Sequence, residues 1–290
     1  MSRGTLIALG AVLSAAVTAV ATPRLRHLRG PRALNYRGEP VPQVLGLAIT
    51  IGLTVGVVSV LLADAGQHLV FPSTRGALEI LAAILLVYAA GLQDDVQPTR
   101  VHGLVAHFRE LFRGRVTSGI VKMAVAVVAA TAFCWVTRDH GVPMALGVPF
   151  VAGAANLWNL LDVVPGRAIK FFLPAAGLAF GLAPQKGLAL FEAAALGGTL
   201  AALPFDLAEV AMLGDSGAYV LGFVAGGGLL VRLSTFGVVV GLAVVVALHV
   251  LAETVTLSRL IRGFPPLRWV DDVGRLRNAA DLRPESSASP

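Results

Sequence analysis

The sequence predicts an all-α polytopic membrane protein of about nine transmembrane helices, with its N-terminus outside and its C-terminus in the cytoplasm. Three observations predict it. The first is composition: of 290 residues, 56% are hydrophobic and only 14% charged, with a mean hydropathy of +0.77. A soluble domain of this length cannot hide so much apolar surface. The second is a series of apolar segments close to the length of about 20 residues that spans a bilayer. They fall near 5–22, 44–63, 76–93, 118–136, 143–161, 169–184, 187–204, 214–232 and 235–257. The third is charge bias. With the N-terminus outside, most arginines fall in inner connections and the tail, and the outer side keeps only Arg3, Arg75, Arg138, Lys186 and Arg232. The positive-inside rule selects that orientation.

Taken in order, the first segment ends in small residues, as a signal peptide would. Arg24, Arg26 and Arg29 follow it directly and the rest of the chain is itself apolar, so it reads as a retained first helix. Several later segments are rich in Gly and Ala, suited to close helix packing in lipid. The sixth and seventh are separated only by "APQKG". Residues 1–257 form one transmembrane domain, and 258–290 a cytoplasmic loop and tail ending in "RPESSASP", a composition typical of disorder. One cysteine, Cys134, excludes an internal disulfide and any multi-cysteine metal site. The net charge of +6 would suggest nucleic acid in a soluble chain; here it reads as arginine anchors facing anionic headgroups. The pattern in "VHGLVAHFRELFRGR" is that of an amphipathic helix on the membrane surface.

Chemistry concentrates at inner helix ends. Asp94 and Asp95 close the third span, Asp162 the fifth, and Asp206, Glu209 and Asp215 lie between the seventh and eighth. Each alone would be a cap or a solvated acid. Together on one face they repel unless a cation sits among them, and oxygen-only ligands point to Mg²⁺ or Mn²⁺. In "AANLWNLLDVVPGRAIK", Asn156, Asn159 and Asp162 share one stripe of a helix; the Asn pair alone also fits interhelical hydrogen bonding. In "MLGDSGAYVLGF", Asp215 stands between small residues at a helix start. Lys122, inside an apolar helix, either meets an anion or snorkels to the interface. Arg167 and Lys170 follow Asp162 closely enough to hold a diphosphate. His68, His140 and His249 read as surface or packing residues. Glu253 either pairs with an arginine or lines a cavity.

These stretches resemble the polyprenyl-phosphate N-acetylhexosamine-1-phosphate transferases, the superfamily of phospho-N-acetylmuramoyl-pentapeptide translocase. The order is the same: "GLQDDV" after the third helix, "NLWNLLD" ending the fifth and "GDSG" opening the eighth, with "NYRGEPVPQVLG" in the first inner loop and Lys122 in the fourth helix. The resemblance implies Mg²⁺-dependent transfer of a sugar 1-phosphate from a UDP-sugar to a polyprenyl phosphate at the cytoplasmic face of the cell membrane, releasing UMP. It implies Asp215, with Asp95, as metal ligands, and Asp94, Asp95, Asp162 and Lys122 as catalytic residues. Asn156, Asn159, Arg167, Lys170, Asp206, Arg268 and Arg275 would bind substrate. It implies the lipid carrier and the nucleotide sugar as partners; beside them the membrane and a second copy of the chain are expected, and no nucleic acid.

Four departures fall on the side that should read the sugar and uridine. Val163-Val164-Pro165-Gly166 stands where the family has Gly and a second Asp-Gly. Asp206 replaces an Asn, "FPPLRWVDDVGR" carries no histidine cluster, and no apolar span follows it. A simpler or uncommon donor is therefore expected in place of a cell-wall pentapeptide. A non-catalytic scaffold that binds polyprenyl phosphate is the alternative; a transporter ranks third, because the acids sit at inner ends and no repeat is seen.

Overall fold

A computed structural model describes residues 1–35, 37–97, 101, 103–138, 141–182, 188–255 and 257–276. It is all-α apart from one short hairpin, and polytopic by the length and apolarity of its helices. In chain order the elements are α1 (Arg3–Leu25), β1 (Arg32–Leu34), β2 (Pro40–Pro42), α2 (Leu45–Ala63), α3 (Thr74–Val96), α4 (Leu104–Phe112), α5 (Ser118–Val136), α6 (Met144–Leu161), α7 (Arg167–Leu182), α8 (Leu188–Leu207), α9 (Gly214–Leu230), α10 (Thr235–Thr254), α11 (Leu257–Gly263) and α12 (Pro265–Asp272). The long helices coincide with the nine predicted segments. Among the described residues, seven of them, all but α7 and α9, are long and apolar enough to cross a membrane. The connection "APQKG", the tail from Arg277 onward, Arg100 and His140 lie outside the described residues. The stretch after 257, expected as a loop, instead begins with the two short helices α11 and α12.

Helix α9 is the centre of the bundle, packed against α2, α3, α6, α7 and α8. Its sequence, GDSGAYVLGFVAGGGLL, is apolar or small around its whole circumference and buried along nearly its whole length, as such a helix must be. A methyl group at Gly46 of α2 or Gly91 of α3 would overlap the backbone of Ser216 or Gly217, so α2, α3 and α9 meet at backbone distance. Helix α10 lies at the periphery, with Val239, Val240, Val244, Val246 and Val250 exposed as a lipid-facing side requires.

The hairpin is bolted to the loop that precedes α9. Met212 donates its N–H to Pro42 at 2.9 Å, and Leu45 donates to the Met212 carbonyl at 3.1 Å. Glu209, at φ +54, accepts from Asn35 Nδ2 at 2.6 Å and from Arg37 Nε at 3.0 Å. "NYRGEPVPQVLG" thus places a wall beside the start of α9, and Glu209 serves that wall and not a shared cation.

Candidate active site

The C-terminal ends of α3, α6 and α10 and the N-terminal ends of α5 and α9 converge on one cavity of about 500 Å³. Its lining includes Asp94, Asp95, Lys122, Asn156, Asn159, Asp162 and Asp215, residues that the sequence scatters over more than a hundred positions.

Asp95 is held hardest. It is 7% exposed and accepts the backbone N–H groups of Asp215 at 2.8 Å and Ser216 at 3.1 Å, with Gln43 Nε2 at 3.2 Å. Those are orphan donors at the start of α9, whose own N-cap residue, Leu213, supplies no side-chain bond; a carboxylate there also meets the positive end of the helix dipole. Asp95 therefore caps a helix from another helix, which opens only because Gly214 takes φ +74. Asp162 lies against the Gly214 amide, within electrostatic reach of Asp206, Asp215 and Asp95.

Asp94 and Asp215 share a cation supplied by the chain. Lys122 Nζ donates to Asp94 Oδ2 and to Asp215 Oδ2, each at 2.5 Å, and Ser118 Oγ donates to Asp94 Oδ1 at 2.6 Å. The Lys122 side chain is 6% exposed, so it meets anions and does not snorkel. Its ammonium also lies 5.0 Å from the Tyr219 ring centroid. From there a chain of polar groups runs across the cavity. Tyr219 OH donates to Asn156 Oδ1 at 2.6 Å, Asn156 Nδ2 meets His249 Nε2 at 2.9 Å, and His249 Nδ1 meets the Val245 carbonyl at 2.8 Å. A carbonyl only accepts, so Nδ1 carries the proton and Nε2 accepts from the amide.

Tyr219, His249, Glu253, Gln43, His107 and Arg32 also line the cavity and were not singled out as site residues from the sequence. His249, expected as packing, is a cavity residue because Asn156 gives it a partner. Its spacing from Glu253, one turn apart on an apolar helix, was the available signal. Glu253 lines the cavity as well.

Five expected substrate residues do not reach the cavity lining. Asp206, 4% exposed, accepts the Gly166 N–H at 2.8 Å and fixes the turn between α6 and α7. Arg167, 1% exposed, makes a bidentate pair with Asp271 at 2.7 and 2.9 Å and donates to Ser258 Oγ at 2.7 Å. Lys170 donates to the carbonyls of Asp271 and Val273, and Arg275 approaches Asp271 and Asp272 at 3.5 Å. Burial alone would raise the Asp271 carboxyl, but the hydrogen bonds and charge of Arg167, with Arg275 and Lys170, hold it below the ordinary carboxylate value. These cations clamp α12 onto α7. Their closeness to Asp162 in sequence does not bring them to the cavity, because the Gly166 turn carries them away. Arg268 is exposed on α12.

Among the described residues, no three His, Cys, Asp or Glu side chains are grouped to hold a metal ion. A cage of acids, as expected from the sequence, is therefore not what the geometry offers. Of the two expected metal ligands, Asp95 has both oxygens taken by the α9 amides and Gln43; Asp215 and the buried Asn159 Oδ1, which has no hydrogen-bond partner among the described residues, remain as hard oxygen donors in one cavity. They fit Mg²⁺ bound through one carboxylate and completed by substrate phosphates and water, a common mode for that ion. No protein-family model matches the chain, and no curated protein matches it.

Proposed function

We propose that this protein transfers a sugar 1-phosphate from a UDP-sugar to a polyprenyl phosphate at the cytoplasmic face of the cell membrane, dependent on Mg²⁺ and releasing UMP. The observation that carries the reading is the contact of Asp94, Lys122 and Asp215, from three different helices, inside a cavity at the end of a membrane bundle. Acids and a lysine are costly at that depth and mark function by default.

An oxygen of the carrier phosphate attacks the phosphorus bearing the sugar. The new P–O bond forms as the P–O bond to UMP breaks, and UMP leaves with the electron pair. Bound Mg²⁺ would neutralise charge on the diphosphate oxygens. Lys122 supplies fixed positive charge beside the transferring group, and its two carboxylates and the Tyr219 ring hold the ammonium in place. Asp94 accepts the last proton of the carrier phosphate. Asp95 orients Asp215 through the backbone of α9 and does not touch the reacting atoms. Asn159 and Asp162 face the nucleotide.

The test is Mg²⁺-dependent UMP release by purified protein from a panel of UDP-sugars with undecaprenyl phosphate. Asp215→Asn should lower the rate by at least about 100-fold; retained turnover removes Asp215 from the reaction. A second reading is a scaffold that binds polyprenyl phosphate without turnover. It is favoured by the pairing of Asp94 and Asp215 with Lys122 and by the engagement of Arg167 and Lys170 with α12. Carrier binding that needs Lys122, without UMP release from any donor, selects the scaffold.

A further inference from the structure

Helix α4 leaves the end of α3 and returns the chain to the start of α5, so it lies at headgroup level beside the cavity mouth. Its two faces differ. On one, His107 lines the cavity and its Nδ1 meets Thr117 Oγ1 at 2.8 Å, fixing α4 to the N-cap of α5. On the other, Val105, Phe108 and Phe112 are 58%, 42% and 88% exposed and, with Arg109 and Arg113, line a groove of about 490 Å³. Glu110 bonds Arg113 at 2.7 Å and lies 3.4 Å from Arg115, so two arginines share one carboxylate, and with Arg109 beside them the surface stays cationic. Among the described residues, no carboxylate pairs with Arg109.

We propose that this groove seats an acidic phospholipid of the surrounding bilayer, with an acyl chain against Phe108 and Phe112 and its phosphate on Arg109 and Arg113. Charge complementarity selects the occupant. A zwitterionic lipid would satisfy the aromatic face but would bring its own cation to the arginines, and a soluble anion would leave the aromatics in water. The lipid presses α4 against α5, and through His107 it keeps one wall of the cavity in place. This site does not rest on the transferase reading, and its test reads no activity.

The experiment places a bimane fluorophore at Leu111→Cys, an exposed neighbour that does not line the groove, in a Cys134→Ala background. The full chain is reconstituted in nanodiscs containing brominated phosphatidylglycerol or brominated phosphatidylcholine at equal mole fraction. Quenching by the acidic lipid should exceed quenching by the zwitterionic one several-fold in relative affinity. Arg109→Gln with Arg113→Gln should bring the ratio to one, and Arg109→Lys with Arg113→Lys should keep most of the preference. Unchanged melting temperatures of these variants show that the fold is intact. The proposal is overturned by equal quenching in the starting protein, by a preference that survives the glutamine pair, or by undecaprenyl phosphate displacing the brominated lipid at far lower mole fraction, which would make the carrier the occupant.

Discussion

Tyr219 shows how a single side chain joins two halves of the cavity. Its ring faces Lys122 and its hydroxyl reaches Asn156, which in turn holds His249. Tyr219→Phe keeps the ring and removes one buried hydrogen bond, worth about 1 kcal/mol. UMP release should therefore fall on the order of 5-fold, with the Mg²⁺ requirement unchanged. A loss as large as that of Asp215→Asn would place the hydroxyl among the reacting atoms. Asp94, Asp162 and Asp215 were legible in the sequence because acids gathered at one end of an apolar bundle repel unless a cation sits among them, and Lys122 because a lysine inside an apolar helix calls for an anion. Tyr219 and His249 were not, because an aromatic in an apolar helix reads as packing until its partner is known, and their partner Asn156 lies 63 and 93 residues away. Arg167 lies away from the cavity for a related reason: adjacency to Asp162 says nothing about which way a turn at Gly166 sends it.

Two helix junctions carry contrasting charge pairs. At the end of the bundle opposite the cavity, Glu192 of α8 and Arg232, just beyond α9, are fully buried and bidentate, with both contacts at 2.7 Å. Arg232→Met alone strands the Glu192 carboxylate and should cost about 3–5 kcal/mol, whereas Glu192→Leu with Arg232→Met should recover most of it; thermal melts of the three variants in detergent decide. At the cavity end, α12 hangs on Asp271. Its folded-state pKa lies below the ordinary value of 3.8, so its stabilisation is complete above about pH 4 and is lost as pH falls through the lowered folded value. Hydrogen exchange of the α12 amides, corrected for intrinsic rates, should accelerate only on that acid limb, and Asp271→Asn should leave α12 exchanging fast at every pH. The sequence announced α4 through its amphipathic period. It did not announce α12 as a clamp, because "FPPLRWVDDVGR" shows its charges without their distant partners on α7.

For the molecule as a whole, the seven span-length helices among the described residues were legible because bilayer thickness sets a length that composition alone reveals; α7 and α9 were legible by their apolar sequence and not by their length. What composition could not give is which helix lies innermost, since α9 and α10 are comparably apolar yet one is enclosed and the other faces outward. The arginine bias predicts that Val163 faces the cytoplasm and Arg75 the exterior. With Cys134 buried, Val163→Cys in intact cells should resist an impermeant maleimide and Arg75→Cys should react; the reverse pattern would invert the proposed orientation. The cap that Asp95 places on α9 also imposes an order on biosynthesis. Asp95 and Asp215 are 120 residues apart, so at roughly 5–20 residues per second the ribosome finishes α3 on the order of ten seconds before the amides it must hold exist. Through that interval the nascent chain keeps an acidic pair waiting at the membrane rim, where water or the insertion machinery must shelter it until Lys122 and then α9 arrive.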